Sequence, residues 1–231
     1  MTGGLRYNER AFVGGPTESG KSELLNVLFS QFRCQRLLYD SKGHEWTIAG
    51  VEPVLGDPAA IDWRQPIVHY VTAGTDVAEV AEVFGQAEKR RDLVVCVHEL
   101  GDLCEYHTNK TPGSVNRYLA QGGANGRGFL GGSQVPVDMP KRARSEANRI
   151  YTMAPAIGEE HLKVIAAMAE RSSAEMRAEI EAAGAEHGPH TFIEWPRGAH
   201  QESTVWPPMP EWVRKESIVR RREAHARERR G

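Results

Sequence analysis

Residues 15–22 read GPTESGKS and satisfy the pattern G-x-x-x-x-G-K-[ST] at every fixed position. Gly15 and Gly20 allow the backbone to turn its N–H groups inward, around a loop completed by Pro16, Thr17, Glu18 and Ser19. Lys21 is placed to reach the β- and γ-phosphates of a nucleotide, and Ser22 offers a hydroxyl to Mg²⁺. The chemistry implied is the binding of a nucleoside triphosphate. Three further polar residues stand at the ends of apolar runs: Asp40, Glu99 and Gln134. Hydrolysis needs a carboxylate that orients or deprotonates water, a role Glu99 suits, and Gln134 suits a γ-phosphate or water sensor. Read singly, Glu99 also has a lesser reading as a solvated strand-end charge, and Gln134 a nearly equal one as a cap on the following turn.

The elements needed to position these groups are legible around them. Ala11-Phe12-Val13 is a short apolar run ahead of the loop, and Glu23–Phe32 carries apolar residues at helical spacing behind it. Strand, glycine-rich loop and helix is the context the motif requires. Further strands are expected over Arg36–Asp40, Pro66–Val71, Asp92–Glu99, Gly128–Gln134, Arg149–Met153 and Thr191–Trp195. Helices are expected over Asp76–Arg91, capped by Asp76, and over Glu159–Ala183 as one long element closed by Gly184. Apolar runs alternating with helical stretches predict an α/β fold, a mainly parallel central sheet flanked by helices. Ligands of such sheets collect at the C-terminal ends of the strands, where the loop, Asp40, Glu99 and Gln134 all lie.

Composition narrows the class. At 231 residues, with 26% charged and 40% hydrophobic residues, the chain reads as one globular α/β domain over 1–205 with an appendage at 206–231. No apolar stretch reaches spanning length and no secretory signal pattern is present, so neither a transmembrane segment nor secretion is expected. Cys34, Cys96 and Cys104 are too few and too odd in number for a disulfide framework. The formal net charge of −2 hides a basic end, with Lys215, Arg220, Arg221, Arg222, Arg227, Arg229 and Arg230. Pro207, Pro208 and Pro210 set that end off as a linker and basic tail, either mobile until it docks on DNA or a partner, the favoured reading, or a charged helix lying on its own domain.

The ordered set GPTESGKS, LLYDSKG, LVVCVHEL and GRGFLGGSQVP followed by NRIYTM resembles the FtsK–HerA superfamily of DNA-pumping ATPases. In its small size the chain is most similar to the genome-packaging ATPases of tailless, membrane-containing icosahedral viruses. The resemblance covers about residues 10–155. It implies a RecA-like P-loop NTPase fold, ATP and Mg²⁺ as cofactors, and a homo-oligomeric ring, usually a hexamer, around double-stranded DNA. It further implies possible docking to a capsid vertex or viral membrane protein, and residence in the host cytoplasm or on the virion. It matches Asp40, Lys42 and Gly43 to an acidic strand end followed by Lys-Gly, Arg127 to a finger on the neighbouring subunit, and Gln134 to the sensor. A plasmid or cellular motor of the same superfamily, and a low-turnover capsid assembly factor, remain alternatives.

One departure stands out. The superfamily's metal-binding strand usually ends Asp-Glu, whereas this chain has His98-Glu99, and imidazole suits Mg²⁺ poorly. Asp40 or Asp102 could supply the missing charge. Cys96, His98, Cys104 and His107 make a C-x-H-x5-C-x2-H set that could bind zinc, although Cys96 also suits the core. Candidate DNA contacts are Lys141, Arg142 and Arg144 after the sensor strand, and Lys110 in the preceding loop. They would follow phosphates without reading bases, or simply be solvated.

Overall fold

The computed structural model describes residues 8–42, 45–72, 76–105, 110–121, 125–198 and 201–221. Its frame is a nine-stranded sheet in the order β10-β9-β8-β1-β7-β6-β2-β5-β4. The central strands are β1 (Arg10–Gly14), β2 (Gln35–Asp40), β5 (Ile67–Val71), β6 (Leu93–Val97), β7 (Gly128–Ser133) and β8 (Arg149–Met153). With the short β4 (Val54–Leu55) they pair in parallel, while β9 (Phe192–Pro196) runs antiparallel to β8 and β10 (Thr204–Trp206) antiparallel to β9. The expected mainly parallel α/β sheet is present. Strands buried on both faces carry nearly unbroken apolar runs, as Leu93–Val97 does.

Strand alternation feeds two separate cores. Phe12, Leu37, Val95 and Phe129 face α2 (Val77–Ala87), α3 (Gly113–Gln121), α4 (Lys141–Glu146), α5 (Glu159–Ala169) and α6 (Ser173–His187). Val13, Leu38, Cys96 and Leu130 face the opposite way, onto Leu24, Leu25, Leu28 and Phe29 of α1 (Lys21–Gln31). That second face carries one long helix and is completed by β3 (Trp46–Ile48), α7 (Glu211–Glu216) and β11 (Val219–Arg221). Gly132 lets α1 approach β7: a Cβ there would lie 2.7 Å from the His98 carbonyl oxygen and 2.8 Å from Leu25 Cδ1.

Several expectations meet a different local structure. The single helix expected over 159–183 is two, because Glu170 adopts a left-handed conformation (φ 58°) that closes α5, and Ser172 starts α6. The break lets α5 and α6 fold back on each other, each burying its own apolar stripe. Gly184 lies inside α6, which ends before Gly188. Lys141–Arg144, which carry three of the candidate DNA contacts, form the first turn of a helix, α4, tied down by buried Ala143.

The appendage from residue 206 is the larger revision. Residues 206–221 are built onto the body, with β11 paired antiparallel to β3 and Val219 only 3% exposed. The Ile218 N–H donates to Ser30 Oγ at 2.9 Å, and Ser30 and Ser217 hydroxyls lie 3.2 Å apart. A few apolar residues suffice because α1 supplies the surface they cover. Arg222, Arg227, Arg229 and Arg230 of the expected basic tail, and Gly43 of the expected turn, lie outside the described residues. Among the described residues no helix is long and apolar enough to cross a membrane.

Candidate nucleotide site

The loop joining β1 to α1 sits at the C-terminal edge of the sheet, where the topology directs ligands. Gly15 is confined: a Cβ there would meet Ser19 Oγ at 2.6 Å and Met153 Cγ at 2.8 Å. Pro16 opens the turn, its carbonyl accepting from the Ser19 N–H at 3.4 Å. Glu18 (φ 61°) and Gly20 (φ 93°) are left-handed, which winds the loop back over the helix axis. Gly20 begins α1 and has no side chain with which to cap the first-turn N–H groups. An anion at that end would meet those donors and the positive end of the helix dipole.

Lys21 is 5% exposed, and burial lowers its pKa, an effect opposed by the nearby Glu99 carboxylate. A desolvated lysine beside an acidic group gains from a phosphate that restores full ion pairing. Ser22 is half-buried and lines the same cleft.

The order β1-β7-β6 decides what stands next to the loop. Inserting β7 between the P-loop strand and β6 brings Gln134, just past the end of β7, against Thr17, whose hydroxyl donates to Gln134 Oε1 at 2.8 Å. The same register holds Glu99. Ser133 Oγ donates to Glu99 Oε1 at 2.7 Å, and the Gln134 N–H donates to Oε2 at 3.2 Å. Burial raises the Glu99 pKa, with the Ser133 and Gln134 hydrogen bonds pulling the other way. Thr17, Gln134, Ser133 and Glu99 are therefore one hydrogen-bonded group, and Lys21 lies near enough to feel the Glu99 charge. Ser133 was not singled out in the sequence, where nothing but its place before Gln134 marks it.

His98 does not face this group. Its ring is 3% exposed and stacks on Trp46 with centroids 4.6 Å apart, and its Nε2–H donates to Asn26 Oδ1 at 2.6 Å. Burial lowers its pKa to about 3, so the imidazole is neutral, and among the described residues Nδ1 has no hydrogen-bond partner. Asp40 is buried as well. It accepts from the N–H groups of Lys42 (3.1 Å) and Trp46 (3.2 Å), and His69 Nε2 lies 3.6 Å from Oδ2. Burial raises the Asp40 pKa, but these partners outweigh it and leave the carboxyl below its ordinary range. Its visible work is to shape the turn after β2. Asp102 accepts from Ser41 Oγ at 2.5 Å and is pushed up by burial.

Among the described residues no three His, Cys, Asp or Glu side chains gather as a metal site. Cys96 lies in the core, Cys104 Sγ is 3.4 Å from Thr111 Oγ1, and His107 lies outside the described residues. The donor set suits Mg²⁺ held by Ser22 with phosphate oxygens and water, the mode this small, hard cation favours.

Arg127 stands at the other end of β7, about 23 Å along the strand from Gln134 at a usual rise per residue. It is 6% exposed, its Nε donates to the Arg90 carbonyl at 2.7 Å, and its buried Nη1 has no hydrogen-bond partner among the described residues. Lys141 and Arg142 are exposed on α4, Arg142 lying 3.4 Å from Glu146, while Arg144 is half-buried. Lys110 is exposed, and its carbonyl accepts from the Glu105 N–H at 3.0 Å.

The cleft above the loop has a volume of about 600 Å³. Its floor is Thr17–Ser22, with Gln134 and His190 at one side. The remainder was not foreseen: Asn26 and Val27 of α1, then Lys42, Glu45 and Trp46, and finally residues of α7 and β11. The architecture now has an unambiguous class. It is the P-loop NTPase fold.

Solved structures agree with that assignment. The genome packaging NTPase B204 from Sulfolobus turreted icosahedral virus 2, in complex with ATP-gammaS, superimposes with a TM-score of 0.68 at 15% identity, over 89% of this chain and 100% of that one. The N-terminal domain of zonular occludens toxin from Neisseria meningitidis gives 0.50 at 13% identity, over 90% of this chain and 97% of that one. Thermomonospora curvata EccC (ATPases 2 and 3) gives 0.53 at 16% identity, over 94% of this chain and 41% of that one. These neighbours fit the resemblance to FtsK–HerA ATPases read from the motifs. No protein-family model and no curated protein matches the chain.

Proposed function

We propose that this chain is an ATP-driven translocase of double-stranded DNA, the motor subunit of a viral genome-packaging machine. The observation that carries the reading is the hydrogen-bonded group Glu99–Ser133–Gln134–Thr17, with Lys21 within electrostatic reach of Glu99, which links the loop to a carboxylate suited to activating water and an amide suited to sensing phosphate. The likeness in fold to a packaging NTPase supports the choice of work to which hydrolysis is coupled.

The P-loop N–H groups and Lys21 bind the β/γ-phosphates, and the Ser22 hydroxyl holds Mg²⁺, which when bound neutralises charge on the phosphates. Glu99 orients the attacking water and accepts its proton. The γ-phosphate competes for the Gln134 side chain now held by Thr17, which makes Gln134 a reporter of phosphate occupancy. Arg127 acts on the neighbouring subunit's site in a ring, a hexamer in this reading, once its bond to the Arg90 carbonyl is released. Lys141, Arg142, Arg144 and Lys110 follow the DNA backbone. The ring works in the host cytoplasm or on the virion, docked to a capsid vertex or viral membrane protein.

ATP hydrolysis measured with and without double-stranded DNA, alongside the native mass of the assembly, tests this reading. DNA stimulation of a ring-sized species is expected. A monomer whose turnover ignores DNA would refute it. A second reading, a low-turnover assembly factor, is favoured by one observation: a neutral, buried His98 stands where a metal-orienting carboxylate is usual. Stoichiometric ATP binding without multiple turnover would select it.

A further inference from the structure

The phosphate end of the cleft is accounted for by the P-loop, but most of the opposite wall has no assigned role. That wall includes Ser217, Val219 and three arginines, Arg214, Arg220 and Arg221. We propose that the segment Arg214–Arg221 is the nucleoside wall of the site, with Arg220 contacting the base and ribose of a nucleoside triphosphate seated on the P-loop. The inference rests on the nucleotide reading above and adds to it the subsite that takes the non-phosphate half of the ligand.

Distance supports the placement. Six residues of α1 separate Lys21 from Val27, a rise of roughly 9 Å, which is the scale that separates a β-phosphate from a nucleobase. The C-terminal segment is tied to the far end of α1, where the Ile218 N–H donates to Ser30 Oγ at 2.9 Å and the Ser217 hydroxyl lies 3.2 Å from it. It is also fixed firmly enough to form a wall. Arg214 pairs with Glu23 at 3.5 Å, Arg221 with Glu45 at 3.1 Å, and β11 is hydrogen-bonded to β3.

The chemistry fits a flat, polar aromatic ligand. Arg214 and Arg221 have carboxylates to answer them, whereas among the described residues no carboxylate pairs with Arg220. Its Nη2 donates to the Lys215 carbonyl at 2.5 Å, and the residue is exposed at the cleft. A guanidinium so placed offers a planar face for stacking and further N–H groups for ring or ribose acceptors. Trp46, paired with Arg221 in the β3–β11 ladder, lines the same wall, and among the described residues its buried indole Nε1 has no hydrogen-bond partner. Val219 and Val27 add apolar lining.

Isothermal titration of wild type and Arg220→Ala with ATP and, separately, with inorganic tripolyphosphate tests the inference. Tripolyphosphate carries the charge and shape of the phosphate chain without a nucleoside. Arg220→Ala should weaken ATP binding by about tenfold, the order of one desolvated cation–π contact. Tripolyphosphate binding and the melting temperature should be unchanged. Unchanged ATP affinity overturns the inference, and so does an equal loss for both ligands, which would make Arg220 a phosphate contact or a structural residue. The parent reading fails differently, if wild type binds neither ligand or if Lys21→Ala weakens neither.

Discussion

The two halves of the cleft are built by opposite strategies. The phosphate half is local: eight consecutive residues, 15–22, supply the turn, the cation and the hydroxyl, and α1 follows at once. In this reading backbone N–H groups, oriented by φ/ψ at Glu18 and Gly20, act there together with the Lys21 cation. The nucleoside half is assembled from pieces far apart in the chain. Val27, Trp46 and Val219 meet only because β11 crosses from the C-terminal end to pair with β3. A local half tolerates change elsewhere, whereas an assembled half is lost if any of its pieces lets go.

Lys21→Ala tests the local half most severely. It should abolish binding of ATP and tripolyphosphate alike, because the buried cation over the phosphates has no substitute within the loop, and titration calorimetry would show it. Glu99→Gln separates binding from chemistry inside the same half. ATP affinity should stay within about twofold while turnover falls by about 10²–10⁴, the usual contribution of a positioned general base. Equal hydrolysis by both proteins would remove Glu99 from the mechanism.

Val219→Ala probes the assembled half. Removing two methyl groups from a 3%-exposed site should cost about 1–2 kcal/mol of stability, measured by denaturant unfolding. It should weaken ATP more than tripolyphosphate, a selectivity that no P-loop variant should reproduce.

Two smaller effects are read by pH. Ser133→Ala removes a hydrogen bond to the Glu99 carboxylate, and that bond lowers a pKa which burial raises. Without it the Glu99 pKa rises further, so the acid limb of the turnover profile should move to higher pH while tripolyphosphate affinity is unchanged. His98 is held neutral beneath Trp46, its pKa lowered to about 3 from 6.5. The unfolded chain therefore binds the extra proton. The stability that depends on neutral His98 is complete above about pH 6.5 and drains as pH falls toward about 3, by at most about 1.4 kcal/mol per pH unit. His98→Gln should flatten that slope in unfolding measured at several pH values.

The sequence by itself determined the phosphate half, because a turn dictated by glycine positions and a helix dictated by apolar spacing are short-range properties. It also marked Glu99 and Gln134, since polar residues ending buried strands announce the edge of a parallel sheet. It could not reveal that both Glu99 oxygens are held by β7, because that depends on β7 lying between β1 and β6, a choice of strand order that leaves no trace in any single segment. Nor could it show His98 and Asp40 turned inward, which register and the packing of Trp46 decide. The fate of residues 206–221 was the least legible. Prolines and arginines with few apolar neighbours read as a solvated tail, and only the underfilled α1 face of the sheet, visible once the chain is folded, shows what Val219 was there to cover.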